Sequence, residues 1–104
     1  MPTTTLSLAF VAKMVAKPGL EQEVADLLAG ALELANAEAG TIVWFALRTD
    51  ESTFWIVDAF PSEGDRQAHI TGPIAQALMA NADRLLASPP EILPADVLAA
   101  KVPA

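Results

Sequence analysis

The chain contains no cysteine and no tyrosine, a single histidine, and only six lysines and arginines against thirteen acidic residues in 104. Without cysteine there are no disulfides, thiolate nucleophiles, iron–sulfur clusters or thiolate zinc sites, and one histidine does not build a histidine-rich metal cage. Without tyrosine, any phenolic chemistry has to come from a bound molecule. Six scattered cations within a net charge of −7 do not form the basic stripe that a phosphate backbone requires, so nucleic acid is not an expected partner. No run of about 18 strongly apolar residues is present, and Met1–Thr5 lacks the positive start of a secretory signal. The expectation is a cytoplasmic protein with no membrane span, no metal and no cofactor.

What is present is small and apolar. Hydrophobic residues make up 53% of the chain, but 21 of them are alanines, so much of that fraction is helix-forming surface rather than bulky core. At this length one domain is expected, residues 1–104 with a core over about 6–101, burying about 65% of its unfolded surface. Proline and glycine fall between periodic segments, and no repeat or low-complexity stretch interrupts them.

Leu6, Leu8, Phe10, Ala12 and Met14 recur at period two, which predicts a strand over Leu6–Ala16. After Lys17-Pro18-Gly19, residues Leu20, Val24, Leu27, Leu28, Ala31, Leu34 and Ala35 recur at helical spacing, with Gly40 placed as a left-handed cap. Two segments rich in β-branched and aromatic residues, 41–48 and 53–60, flank the polar turn Thr49-Asp50-Glu51-Ser52 and predict a hairpin. Ser62 is placed to cap a short helix that breaks at Thr71-Gly72-Pro73. A second helical run carries Leu78, Met79, Leu85 and Leu86 as core, and Pro89-Pro90 ends it. With a last strand at Asp96–Val102 the order is βαββαβ, whose natural solution is an α+β antiparallel sheet with helices on one face.

Neither face of that sheet is polar. On the second hairpin strand Phe54, Ile56, Asp58 and Phe60 point one way, and Trp55, Val57 and Ala59 the other. Helices cover only one face, so the other is expected to meet a second copy and give a face-to-face homodimer.

The order βαββαβ, the Lys17-Pro18-Gly19 turn, the Ala37-Glu38-Ala39-Gly40 stop before an apolar strand, and the run Phe54–Phe60 leading into Gln67-Ala68-His69 resemble the antibiotic biosynthesis monooxygenase domain. The resemblance spans roughly Leu6 to Lys101 and implies a ferredoxin-like fold assembled as a dimeric α+β barrel. In that family the second hairpin strand usually ends in Glu, any residue, then Trp, with a His about ten positions later. Here Asp58, Phe60 and His69 stand at those positions: the His matches, and the other two keep only charge and aromaticity. Relatives include cofactor-independent oxygenases of quinols and aromatic polyketides, and haem degraders, whose characteristic Asn on the first strand has no counterpart here.

No glycine-rich phosphate loop, Gly-x-Ser-x-Gly elbow or His-Glu-x-x-His occurs. An oxygenase without flavin or metal needs a substrate that is itself the electron donor. The protein then supplies a dry pocket, a base and hydrogen bonds for the developing oxyanion. His69, with an ordinary pKa near 6.5, is the candidate base, and its competing reading is a histidine that cross-links two helices. Asp58, flanked by Val57 and Ala59, is expected to be partly buried and to need a partner, which His69 or Arg66 supplies. Paired with His69 it would act as orienter; paired with Arg66 it is a salt bridge near the sheet edge. Phe54 and Phe60, on the face of Asp58, are the candidate pocket walls, and Arg66, like Arg48, is placed to steer an anionic quinone or carboxylate.

The leading expectation is a cofactor-independent monooxygenase acting with O₂ on a quinol or electron-rich aromatic, with His69 and Asp58 catalytic and Phe54, Phe60 and Arg66 holding substrate. A non-catalytic dimer that binds a small hydrophobic ligand is the alternative, and an isomerase or haem-binding enzyme on the same scaffold a third.

Overall fold

In the computed structural model, which describes residues 6–102, the alternation at the start of the chain becomes strand β1, Leu8–Val15. The turn that follows needs its glycine. Gly19 has φ +88°, the only positive φ among the described residues, and Leu20 N donates to Lys17 O at 3.0 Å. Helix α1, Glu21–Gly30, buries Val24 and Leu28 against the sheet.

One continuous helix running on to a left-handed cap at Gly40 is not what forms. Gly30 is a poor helix former, and beyond it the chain tightens, with Ala31 N donating to Leu28 O, before a short α2, Leu32–Asn36. Gly40 does not cap anything. A Cβ there would lie within 2.3 Å of Asp65 Oδ1, so glycine is required by the close approach of that carboxylate.

Strands β2, Val43–Arg48, and β3, Thr53–Phe60, form the expected hairpin, its turn tied by the Asp50 carboxylate accepting from Ser52 N and Thr53 N. Ser62 Oγ accepts from Asp65 N at 3.2 Å and caps α3, Glu63–Ile70. The break at Thr71-Gly72 separates it from α4, Pro73–Leu85, with proline in the first turn where no N–H is needed.

The last strand differs from its expected place: β4 is Glu91–Asp96 rather than Asp96–Val102. Pro94 lies within this run and is tolerated because β4 is an edge strand with one side unpaired, where a missing N–H costs little. Residues 97–102 form no strand, and Leu98 is 96% exposed.

The four strands are antiparallel in the order β2-β3-β1-β4, so each helix pair crosses over one strand, and the fold is the expected ferredoxin-like α+β arrangement. The register places Phe10 of β1 and Trp44 of β2 on either side of Asp58. Under the helices Phe54, Ile56, Asp58 and Phe60 are all buried. Leu78, Leu85 and Leu86 join them as expected, but Met79 does not: one position beyond Leu78 it turns about 100° away, and it is 56% exposed. The opposite face carries Val11, Val57, Trp55, Phe45, Leu47 and Leu93, and among the described residues no helix lies over it. Phe45 is 55% exposed and Leu93 56%. Among the described residues no helix is long and apolar enough to cross a membrane.

Candidate functional site

Strand parity directs Asp58 inward from the middle of the sheet, and helix α3 lays His69 over it. The two meet, as the sequence allows: His69 Nε2 lies 2.8 Å from Asp58 Oδ2. The competing partner for Asp58 is not used. Arg66 instead pairs with Glu63 at 2.6 Å, reaches Ala9 O at 3.4 Å, and stacks over the Phe10 ring.

The other ring nitrogen holds a residue that sequence reasoning did not single out. His69 Nδ1 is 2.5 Å from Glu38 Oε1, on the loop after α2. Thr41 Oγ1 donates to the same Glu38 oxygen at 2.7 Å, while Glu38 Oε2 is buried with no partner among the described residues. The result is a linear carboxylate–imidazole–carboxylate unit, with Asp58 only 1% exposed and His69 6%.

An ionised carboxylate only accepts hydrogen bonds, so both ring nitrogens are best matched as N–H donors. Burial pushes the imidazole pKa down, but the hydrogen bonds and charges of Asp58 and Glu38 outweigh it, and the net direction is up from 6.5. The unit then carries two negative charges and one positive, and it is able to take up one proton. That proton enters at a carboxylate oxygen, because neither ring nitrogen is free. Asp58 Oδ1 has spare capacity: its contact to Phe10 N is long, at 3.3 Å.

The surroundings are uneven. A cavity of about 30 Å³, room for one water, borders Asp58 and His69 and is walled by Phe10, Ile56, Ile74 and Ile92. Ile56, Ile74 and Leu78 also line a larger apolar groove of about 290 Å³ between α1–α2 and α4, so these three side chains form the partition between groove and acid–base unit. On the outer side a polar pocket of about 130 Å³ reaches His69 past Glu38, Thr41 and Asp65.

The candidate walls are not brought together. Phe60 is fully buried, its ring 5.1 Å from that of His69 and edge-on to Phe10 at 6.2 Å. Phe54 sits six residues away on the same strand, about 20 Å along it. It lines a separate groove of about 430 Å³ with Trp44, Leu28 and Arg48, whose guanidinium lies over its ring at 5.0 Å. Trp44 Nε1 is buried there without an acceptor among the described residues.

No protein-family model matches the chain, and no curated protein does. Solved structures do. In fold the chain is similar to a "putative antibiotic biosynthesis monooxygenase" from Nitrosomonas europaea, 15% identical over 88% of this chain and 99% of that one, TM-score 0.79. It is likewise similar to another so described from Chloroflexus aurantiacus, 20% identical over 92% and 97%, TM-score 0.71. The fold is therefore that of the antibiotic biosynthesis monooxygenases. Much nearer in sequence is a protein of unknown function from Nitrosomonas europaea, 55% identical over 98% of this chain and 99% of that one, TM-score 0.95. The chain belongs to the same family as that protein.

Proposed function

We propose that this protein is a homodimeric, cofactor-independent monooxygenase of a quinol or similarly electron-rich aromatic. The observation that carries the reading is the net-negative unit Asp58–His69–Glu38 under the helices, with Asp58 and His69 buried, its Asp58 end walled by apolar side chains and its Glu38 end reached by the outer pocket. Such a unit is a proton acceptor in a dry site, which is what the reaction asks of the protein. A phenolic proton passes to Asp58, and His69 balances the charge that moves. The substrate anion gives electrons to O₂. One oxygen atom enters the ring system, and the other leaves as water with the two hydrogens the substrate loses. Phe60 and Phe10 edge the reacting end, and Arg66, with its guanidinium over Phe10, would meet an anionic substrate group by leaving its pair with the exposed Glu63.

The aromatic body is placed in the apolar groove beside the partition, whose volume of about 290 Å³ falls just below the range of about 300–1,000 Å³ typical of small-ligand pockets. Ile74 and Leu78 have to shift for a ring to reach Asp58. The second copy covers the open sheet face with Phe45, Leu47, Trp55 and Leu93, and the lack of cysteine fits a reducing cytoplasm.

The test is direct. Protein is mixed anaerobically with reduced menadione or a dihydroxynaphthalene and then exposed to O₂, and consumption is compared with Asp58→Asn, His69→Ala and buffer. Consumption above buffer that falls at least 100-fold in both variants is expected, as for loss of a general base. Equal rates in all four samples remove the oxygenase reading for these substrates. The partition itself favours a second reading, a non-catalytic binder of a small hydrophobic molecule in the groove. Saturable binding of menadione with no O₂ consumption supports it.

A further inference from the structure

Glu38 belongs to the Ala37-Glu38-Ala39-Gly40 stop and has no site role in the sequence reading, yet its placement decides how the acid–base unit works. A neutral imidazole has one N–H and one lone pair, and here each nitrogen faces a carboxylate oxygen, 2.8 Å away at Asp58 and 2.5 Å at Glu38. A neutral ring would point its lone pair at an anion. We propose that Glu38 is a positioning residue that holds His69 as a doubly protonated imidazolium, so that the proton-accepting end of the unit is Asp58 and not the ring. The proposal deepens the reading of this site as a proton acceptor and rests on it.

Three features support it. Thr41 Oγ1 donates to the same Oε1 that faces Nδ1, so that oxygen already acts as an acceptor and is best matched by an N–H on the ring. All donors to Glu38 sit on one oxygen and leave Oε2 bare, so the carboxylate is turned toward the ring rather than shared with the solvent side. Both carboxylates keep spare acceptor capacity, Glu38 at Oε2 and Asp58 at Oδ1, but of the two only Asp58 borders the small inner cavity where a substrate hydroxyl would arrive.

Among the described residues no other charge offsets this arrangement. From α3, Asp65 faces the outer pocket and adds negative charge, and Arg66 is committed to Glu63 and Ala9 O. The elements β1, α4 and β4 present Phe10, Ile74, Leu78 and Ile92, all apolar. The step balances without a further reactant: one proton moves from the substrate hydroxyl to Asp58, the unit goes from net −1 to neutral, and the imidazolium keeps both its protons.

Because His69 is the sole histidine, histidine-labelled full-length protein gives one pair of ring ¹⁵N signals, which report both charge and tautomer. Wild type is expected to show two protonated nitrogens at pH 7. In Glu38→Gln the ring is expected to titrate at least about one pH unit lower and to become the Nε2–H tautomer facing Asp58. Asp58→Asn is expected to give the opposite tautomer, and Glu38→Asp to restore much of the charged form. A neutral ring in the wild type at pH 7, or an unchanged titration in a folded Glu38→Gln, overturns the proposal. If Glu38→Gln does not fold, the wild-type titration and Glu38→Asp decide it alone. The readout is independent of turnover: expected spectra without O₂ consumption leave Glu38 in its role and remove the oxygenase reading, and the reverse result does the opposite.

Discussion

The two faces of one sheet have almost the same composition and opposite fates. On β3, Phe54, Ile56, Asp58 and Phe60 lie beneath helices and are buried. Along the other face Phe45, Leu47 and Leu93 stand at least 45% exposed. Apolar area costs free energy wherever water touches it, so an open face of this kind is a surface waiting for cover rather than a finished exterior. The open face keeps its charges, Lys13 and Glu91, at one end, whereas on the covered side a charged group is buried in the middle of the sheet. Asp58 is tolerated there because His69 meets it, and the ring is tolerated because Glu38 meets its other nitrogen. One face therefore holds the buried acid–base unit, and the other leaves large apolar side chains open to water.

The largest effect that sharpens this contrast is on the covered side. Phe60→Ala should lose about 3–5 kcal/mol in urea unfolding, because the ring is fully buried against Phe10 and His69. An unchanged midpoint would show that the helices do not seal that end. On the open side, Phe45→Asp should leave the circular dichroism of the fold intact and weaken self-association at least 100-fold, about 2.7 kcal/mol. Loss of secondary structure in that variant would mean the open face belongs to the protomer's own core.

The smallest effect is electrostatic. His69 has its pKa raised in the folded chain, so the stability it contributes is complete below about pH 6.5 and is lost as the pH rises through the folded value, at up to about 1.4 kcal/mol per pH unit. Denaturation between pH 6 and pH 9 reads this slope, and it should flatten in Glu38→Gln. A slope of the opposite sign would place the folded pKa below the ordinary value.

Period-two alternation carried most of what was legible in the sequence. It located β3 residue for residue and gave the inward direction of Asp58 and Phe60, and local capping chemistry located α3 at Ser62. Two kinds of feature escaped. Where a residue's meaning depends on its neighbours in space, the local reading failed: the last strand, expected at Asp96–Val102, forms at Glu91–Asp96, where the sheet edge tolerates Pro94, and Gly40 serves a contact with Asp65 rather than a helix cap. Long-range polar pairing left almost no trace. Glu38 lies 31 residues from His69, and its only signal was a lone acidic side chain between Ala37, Ala39 and Gly40, where small neighbours permit close packing. Likewise the separation of Phe54 from Phe60 follows from strand length, and shared parity alone does not make one pocket.

Sedimentation velocity on the wild-type chain at micromolar concentration tests the division between the two faces most directly. A dimer that becomes a folded monomer in Phe45→Asp is the expected result. A monodisperse wild-type monomer, stable with Phe45, Leu47 and Leu93 in water, would contradict it.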